Sequence, residues 1–239
     1  HSEEFGLSSQ MSILHVAVSF ASVQIVQMLL ESGLNSQVTD NTGNDSFMIA
    51  CALGRVQNIQ FWLSRFPEWN LNRGNSINQA AAIHYAVFVG RKKLKTVQIL
   101  VESGRVNLDA LNGGGASVLM NAVANKDSDA DVIKYLLSQK LRYGVNYRRK
   151  AQTIKWKCIY GLARGLSRLR LARSGLFIDL ASYSGSTTLQ WATQRGDIEI
   201  VEILMEHGAK PLIKNSLGRN ALSYCKPFPE IKSAIKRVE

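Results

Sequence analysis

The chain has 239 residues, 46% of them hydrophobic, and a net charge of +11. That composition excludes a disordered polymer, and no apolar run approaches the roughly 18 residues of a membrane-spanning helix. Three cysteines, too far apart for a zinc cluster, suggest free thiols in a reducing intracellular compartment rather than a secreted disulfide framework.

The opening "HSEEFGLSSQ" has no secretory leader pattern. Similar frames then recur along the chain. "SILHVAVSFASVQIVQMLLESG" carries His15 near its start, and its first helix has no polar N-terminal cap unit before it, as expected where upstream sequence is missing. "DSFMIACALGRVQNIQFWLSRF" repeats the frame at Met48, "AAIHYAVFVG" at His84 and "SVLMNAVANKDSDADVIKYLLS" at Met120. "TTLQWATQRGDIEIVEILMEHG" follows at Gln190 and "NALSYCKPFPEIKSAIKRV" at Ser223. The marker spacings are 33, 36, 36, 70 and 33, so the long gap holds two periods, with a cryptic fifth unit marked by Trp156 in "TIKW".

Eight positions before the markers stand Asp40, Ser76, Asn112, Ser182 and Asn215, residue types that open turns and helices. Three further on come Gly43, Gly115, Gly185 and Gly218, which tolerate a positive φ. The third unit has Gln79 at that place, and the fifth has Arg148 and Ala151 at the two places, so its finger lacks turn chemistry. Second helices show apolar residues at helical spacing: Ile25, Val26, Leu29 and Leu30; Val132, Ile133, Leu136 and Leu137; Ile200, Val201, Ile203 and Leu204. One helix pair cannot bury such a face, so pairs must stack. Pro227 and Pro229 shorten the last unit, whose end reads as a polar cap.

These units resemble the ankyrin repeat, with a first helix opening T-P-L-H and a V-V-x-x-L-L second helix; residues 11–238 carry the likeness. The C-terminal "KNSLGRNALSYCKPFPEIKSAIKRV" is also similar to large ankyrin families of unicellular algae. The resemblance implies an all-α fold, an ankyrin-type α-solenoid of stacked helix pairs with β-turn fingers. Repeats one to four occupy 11–140, a basic degenerate repeat or helical insertion 141–181, and repeats six and seven with a C-terminal cap 182–239. It implies a non-catalytic protein–protein interaction scaffold. The alternative is a structural subunit of a large, organellar assembly, docked through the basic fifth unit onto RNA, anionic lipid or an acidic protein surface.

The residues themselves supply no catalytic, metal or cofactor constellation. "NGGGAS" lacks the lysine of a phosphate loop and reads as a flexible finger. Asp127, Asp129 and Asp131 lack the glycine and glutamate of a calcium loop and read as a solvated helix start. Cys51, Cys158 and Cys225 read as small buried residues, and His15 and His84 as rings bonded to nearby backbone. Partner contacts are expected on the exposed side of first helices, at Phe20, Leu53, Tyr85, Phe88, Asn121, Asn125, Trp191 and Arg195.

The charge excess is local. Residues 140–173 hold 11 basic residues and no acid, and the remainder is balanced at 18 of each sign. Arg148, Arg149, Lys150, Lys155, Lys157, Arg164, Arg168, Arg170 and Arg173 form the patch. Lys150, Lys157 and Arg164 share a helical stripe opposite Ile159, Leu162, Ala163 and Leu166, with a break offered at Gly165. Such a face is either merely solvated, or meets an acidic protein, nucleic-acid phosphate or an anionic membrane.

Overall fold

A computed structural model describes residues 11–89, 93–125, 127–169, 171 and 174–238, apart from the side chains of residues 176 and 236–238. The chain forms two compact units, 1–110 and 111–239. The first contains α1 (Ile13–Phe20), α2 (Val23–Glu31), α3 (Ser46–Ala52), α4 (Val56–Arg65), α5 (Ala82–Phe88) and α6 (Lys93–Glu102). The second contains α7 (Val118–Ala124), α8 (Ala130–Ser138), α9 (Ile154–Arg168), α10 (Gly175–Tyr183), α11 (Thr188–Arg195), α12 (Ile198–Glu206), a 3-10 turn (Ala221–Tyr224) and α13 (Pro229–Val238). Arg170 and Arg173 of the expected patch lie outside the described residues.

The first helices α1 and α11 start through reciprocal caps. The Ser12 hydroxyl accepts the His15 N–H, and His15 Nδ1 accepts the Ser12 N–H at 3.0 Å. His84 Nδ1 likewise accepts the Ala81 N–H at 3.1 Å. Thr187 and Gln190 cap α11 the same way, which explains why a polar side chain recurs at the marker. In the first unit α3 packs on both α1 and α5, and in each helix pair the second helix packs on the first. Val132, Ile133 and Leu136 of α8 are buried, each contributing about 2 kcal/mol of apolar transfer. Trp62 of α4 is fully buried, with the Phe66 and Trp69 ring centroids at 5.0 and 5.2 Å.

The fingers share one hydrogen-bond pattern. The Asp40 N–H donates to the Asn44 carbonyl at 2.9 Å, and the Gly43 N–H donates back to the Asp40 carbonyl at 3.0 Å. Asn112 makes the same pair with Ala116 and Gly115, and Asn215 with Arg219 and Gly218. In each case the Asp or Asn Oδ1 also accepts the N–H four residues on. The three glycines have φ of +79°, +80° and +76°.

Two fingers depart from the expected register. In the third, Asn75 and not Ser76 opens the turn, pairing with Ala80 across one extra residue, and Ser76 donates its N–H to the Thr42 carbonyl of the preceding finger. Gln79 takes the left-handed position at φ +56°, alone among described non-glycine residues. In the other, the Arg149 N–H donates to the Ser186 carbonyl and the Gly185 N–H to the Arg149 carbonyl, both at 2.8 Å. This is the same clamp, with 35 residues between its ends where other fingers have two. Ser182, expected to open this turn, lies instead in the last turn of α10, donating to the Asp179 carbonyl.

Those 35 residues carry α9 and α10, which pack mainly on each other, while α7 packs directly on α11 and α8 on α12. α9 runs unbroken through Gly165, because the exposed glycine meets no neighbour and nothing there interrupts the helical bonds. The helix is also rotated from the expected face. Tyr160 and Ala163 are buried, but Leu162 is 60% exposed and Cys158 is exposed, not buried. The cause is polar: the Tyr160 hydroxyl donates to the Gly114 carbonyl at 3.1 Å and turns that side inward.

"NGGGAS" is not a flexible tip. Residues 112–117 are buried because the chain at 149–153 lies against them, with the Gln152 N–H donating to the Gly113 carbonyl at 3.0 Å. A Cβ at Gly115 would overlap the Lys150 carbonyl. Gly115→Ala is expected to cost at least about 2 kcal/mol, from this overlap and the left-handed backbone. Gln79→Gly should instead stabilise by about 1 kcal/mol. Urea unfolding midpoints at constant slope check both.

Candidate functional site

The aromatic side chains just after the markers turn into the fingers. The Tyr85 hydroxyl donates to Asn44 Oδ1 and accepts from Asn75 Nδ2, both at 2.8 Å, tying two fingers together. Burial, with Asp40 nearby, pushes its pKa up to about 12. Trp191 Nε1–H donates to the Ser186 hydroxyl at 2.8 Å, and its ring lies 5.0 Å from that of Tyr183. Asn121 bonds its own helix through the Ser117 carbonyl, and the Asn125 side chain accepts the Asp127 N–H. Arg195 donates to the Val123 carbonyl and lies 4.0 Å from Asp197. Leu53 is half-buried. Tyr85 and Trp191 are therefore not free solvent-facing anchors, since their polar ends have found partners. Phe20 and Phe88 remain as exposed rings.

The basic residues separate into two groups. Lys155 and Arg168 stand exposed on α9. Arg148, Arg149, Lys150, Lys157 and Arg164 line one cavity of about 430 Å³ in the second unit. It opens between the Arg149–Ser186 clamp, α9 and Ser216. No described lining residue is acidic.

Arg149 is the most buried of the five, at 7% exposure. Its guanidinium carbon lies 5.4, 5.0 and 5.0 Å from the ring centroids of Tyr160, Tyr183 and Trp191. Nε donates to the Gly114 carbonyl at 2.9 Å, whereas Nη1 is buried with no hydrogen-bond partner among the described residues. Burial lowers the pKa of this guanidinium, opposed by Tyr160, Tyr183 and Tyr147. The side chain stays a cation because an arginine starts so far above neutrality. Gly114 admits it: a Cβ there would meet Arg149 Nη2 and the Tyr160 hydroxyl at 2.6 and 2.7 Å. The Ser184 and Ser216 hydroxyls, 3.0 Å apart, complete the edge. Sequence spacing had not assigned Tyr183, Ser184 or Ser216 to any site, since only closure across the insertion brings them to Arg149.

Ankyrin repeats match residues 47–150 as three copies and residues 184–216 as one. A putative ankyrin repeat protein of Rickettsia felis is 27% identical over 215 residues, spanning 89% of this chain and 52% of that protein. The chain spans about half or less of the length of the curated relatives it matches. The ankyrin repeat domain of Bcl-3 superposes with a TM-score of 0.65 at 23% identity, over 93% of this chain and 81% of that one. A chain in the Bdellovibrio bacteriovorus predatory endopeptidase–immunity protein complex superposes with a TM-score of 0.63 at 19% identity, over 97% and 100%.

The Tyr85 geometry has a pH signature. Its folded pKa lies above the ordinary tyrosine value of 10.0, so its contribution is intact below pH 10 and is lost as pH rises toward about 12. Tyr85→Phe should cost about 1–2 kcal/mol at neutral pH by unpairing Asn44 and Asn75, and should flatten the stability decline above pH 10. Denaturant titrations at stepped alkaline pH measure both.

Proposed function

Because the chain belongs to the ankyrin repeat family, we propose that it is a non-catalytic scaffold that holds a protein partner. Ankyrin repeat domains generally mediate protein–protein interaction. The observation that carries this reading is the exposure of two aromatic rings near the ends of the first helices of two repeats: Phe20 at 70% and Phe88 at 39%. Val16, 45% exposed, extends the apolar surface of α1. Aromatic side chains are where interface energy concentrates once water is excluded.

A second contact fits the same reading. We take residues 150–184 as a helical insertion, and α9 presents exposed Lys155 and Arg168 from it. Exposed cations in a segment without acids suit an acidic protein surface, whose approach they would steer. This arrangement also serves the alternative of an accessory subunit in a larger assembly.

Wild type and Phe20→Ala/Phe88→Ala proteins, immobilised and exposed to lysate, test the first contact. The double variant should lose a protein that the wild type retains while keeping its fold, at a stability cost of about 1–2 kcal/mol from the partly buried Phe88. Identical capture by both proteins sinks the aromatic contact. For the second contact, Lys155→Glu/Arg168→Glu should slow association with the same retained protein, most strongly at low salt.

A further inference from the structure

The cavity at the root of the insertion is built differently from a docking face. We propose that it binds a compact anion carrying two or more phosphate groups, held by Arg148, Arg149, Lys150, Lys157 and Arg164. This stands apart from the protein-partner reading and does not require it.

Three observations carry it. First, Arg149 is a buried cation with no carboxylate partner among the described residues. The other unit shows what an ordinary solution looks like: buried Asp45 is met by Arg73 at 3.0 Å. An uncompensated buried charge is expensive, and an apolar side chain of similar size would fill the space more cheaply. Aromatic faces support the guanidinium here, which keeps its charge without neutralising it. Nε–H donates to the Gly114 carbonyl and a side-chain hydrogen bond joins the guanidinium to Tyr160, while Nη1 has no hydrogen-bond partner among the described residues.

Second, four further cations converge on the same cavity from separate segments: Arg148 and Lys150 from the chain leading into the insertion, Lys157 and Arg164 from α9. Five cations around one concavity give a local positive potential that favours an anion. A single carboxylate would leave most of that charge uncompensated, whereas two or three phosphates approach it. Arginine forks match phosphate oxygens bidentately.

Third, the size fits. At about 430 Å³ the cavity falls in the range of small-molecule sites, roughly 300–1,000 Å³, and exceeds what one ion needs. The five residues line one concavity, whereas Lys155 and Arg168 are exposed outside it. A nucleic acid would track a long groove, whereas this cavity is a local concavity lined by ten residues.

Isothermal titration of the whole chain with inorganic tripolyphosphate, at matched ionic strength, tests the proposal. Arg149 is left intact, because its bond to Gly114 is also structural. Saturable binding near one site per chain is expected, with citrate at least tenfold weaker. Lys150→Gln/Lys157→Gln/Arg164→Gln should weaken tripolyphosphate at least tenfold. Lys134→Gln/Lys214→Gln/Lys232→Gln removes as much charge elsewhere and should change it less than twofold. Vesicles of phosphatidylcholine carrying phosphatidylinositol bisphosphate form a second arm: retention there, competed by tripolyphosphate, identifies a lipid headgroup as the source, and its absence identifies a soluble one. The proposal is overturned if binding is not saturable, if citrate binds as well, or if both triple variants weaken it equally. Binding of a single-stranded oligonucleotide or an acidic peptide at the cavity, without tripolyphosphate binding, overturns it too.

Discussion

Two backbone hydrogen bonds organise this molecule. In each finger one residue donates its N–H across the turn and accepts an N–H back from a left-handed position. Asp40, Asn112 and Asn215 do this with a side chain that also satisfies the returning backbone. Arg149 makes the same two bonds with no such side-chain acceptor. Its side chain is released from turn chemistry, and that freedom sends the guanidinium into an aromatic nest. The extra helices, the glycine run that receives them and the cavity all follow from that one clamp being opened and re-closed.

Much of the repeat architecture was legible in the sequence because it depends on local rules. The glycine places at 43, 115, 185 and 218 all take a positive φ, and the marker side chains at 15, 84 and 190 all cap their helices. Register failed where local rules were silent. A one-residue extension moved the turn role from Ser76 to Asn75, and a 70-residue spacing looked like two periods although α7 and α11 pack directly. The long gap contains a helix start, Thr153, as good as any repeat's own. Nothing near Arg149 in sequence announces that its partner is Ser186.

The candidate site followed the same division. The density of charge at 148–164 was visible from composition, and five of its residues do share a cavity. Which residue is buried was not, since Arg149 and Arg148 are adjacent and chemically identical. Alternation along the extended segment turns one to the aromatic rings and leaves the other exposed. On the first helices, hydroxyl and indole groups drew Tyr85 and Trp191 into finger hydrogen bonds, whereas the Phe20 ring, which has no such group, is 70% exposed.

A finger that closes across 35 residues also changes when it can form. Its neighbours join residues three or four apart and lose little chain entropy in closing. Bringing Arg149 to Ser186 costs on the order of 2 kcal/mol more, by the logarithmic growth of loop entropy. Pairing α9 with α10 first shortens the effective loop, and the finished fingers at 112–117 and 215–219 then offer a rigid slot for the incoming strand. The chain at 149–186 is accordingly a late, non-local step in an otherwise local folding sequence, and the cavity comes into being only when that step is complete.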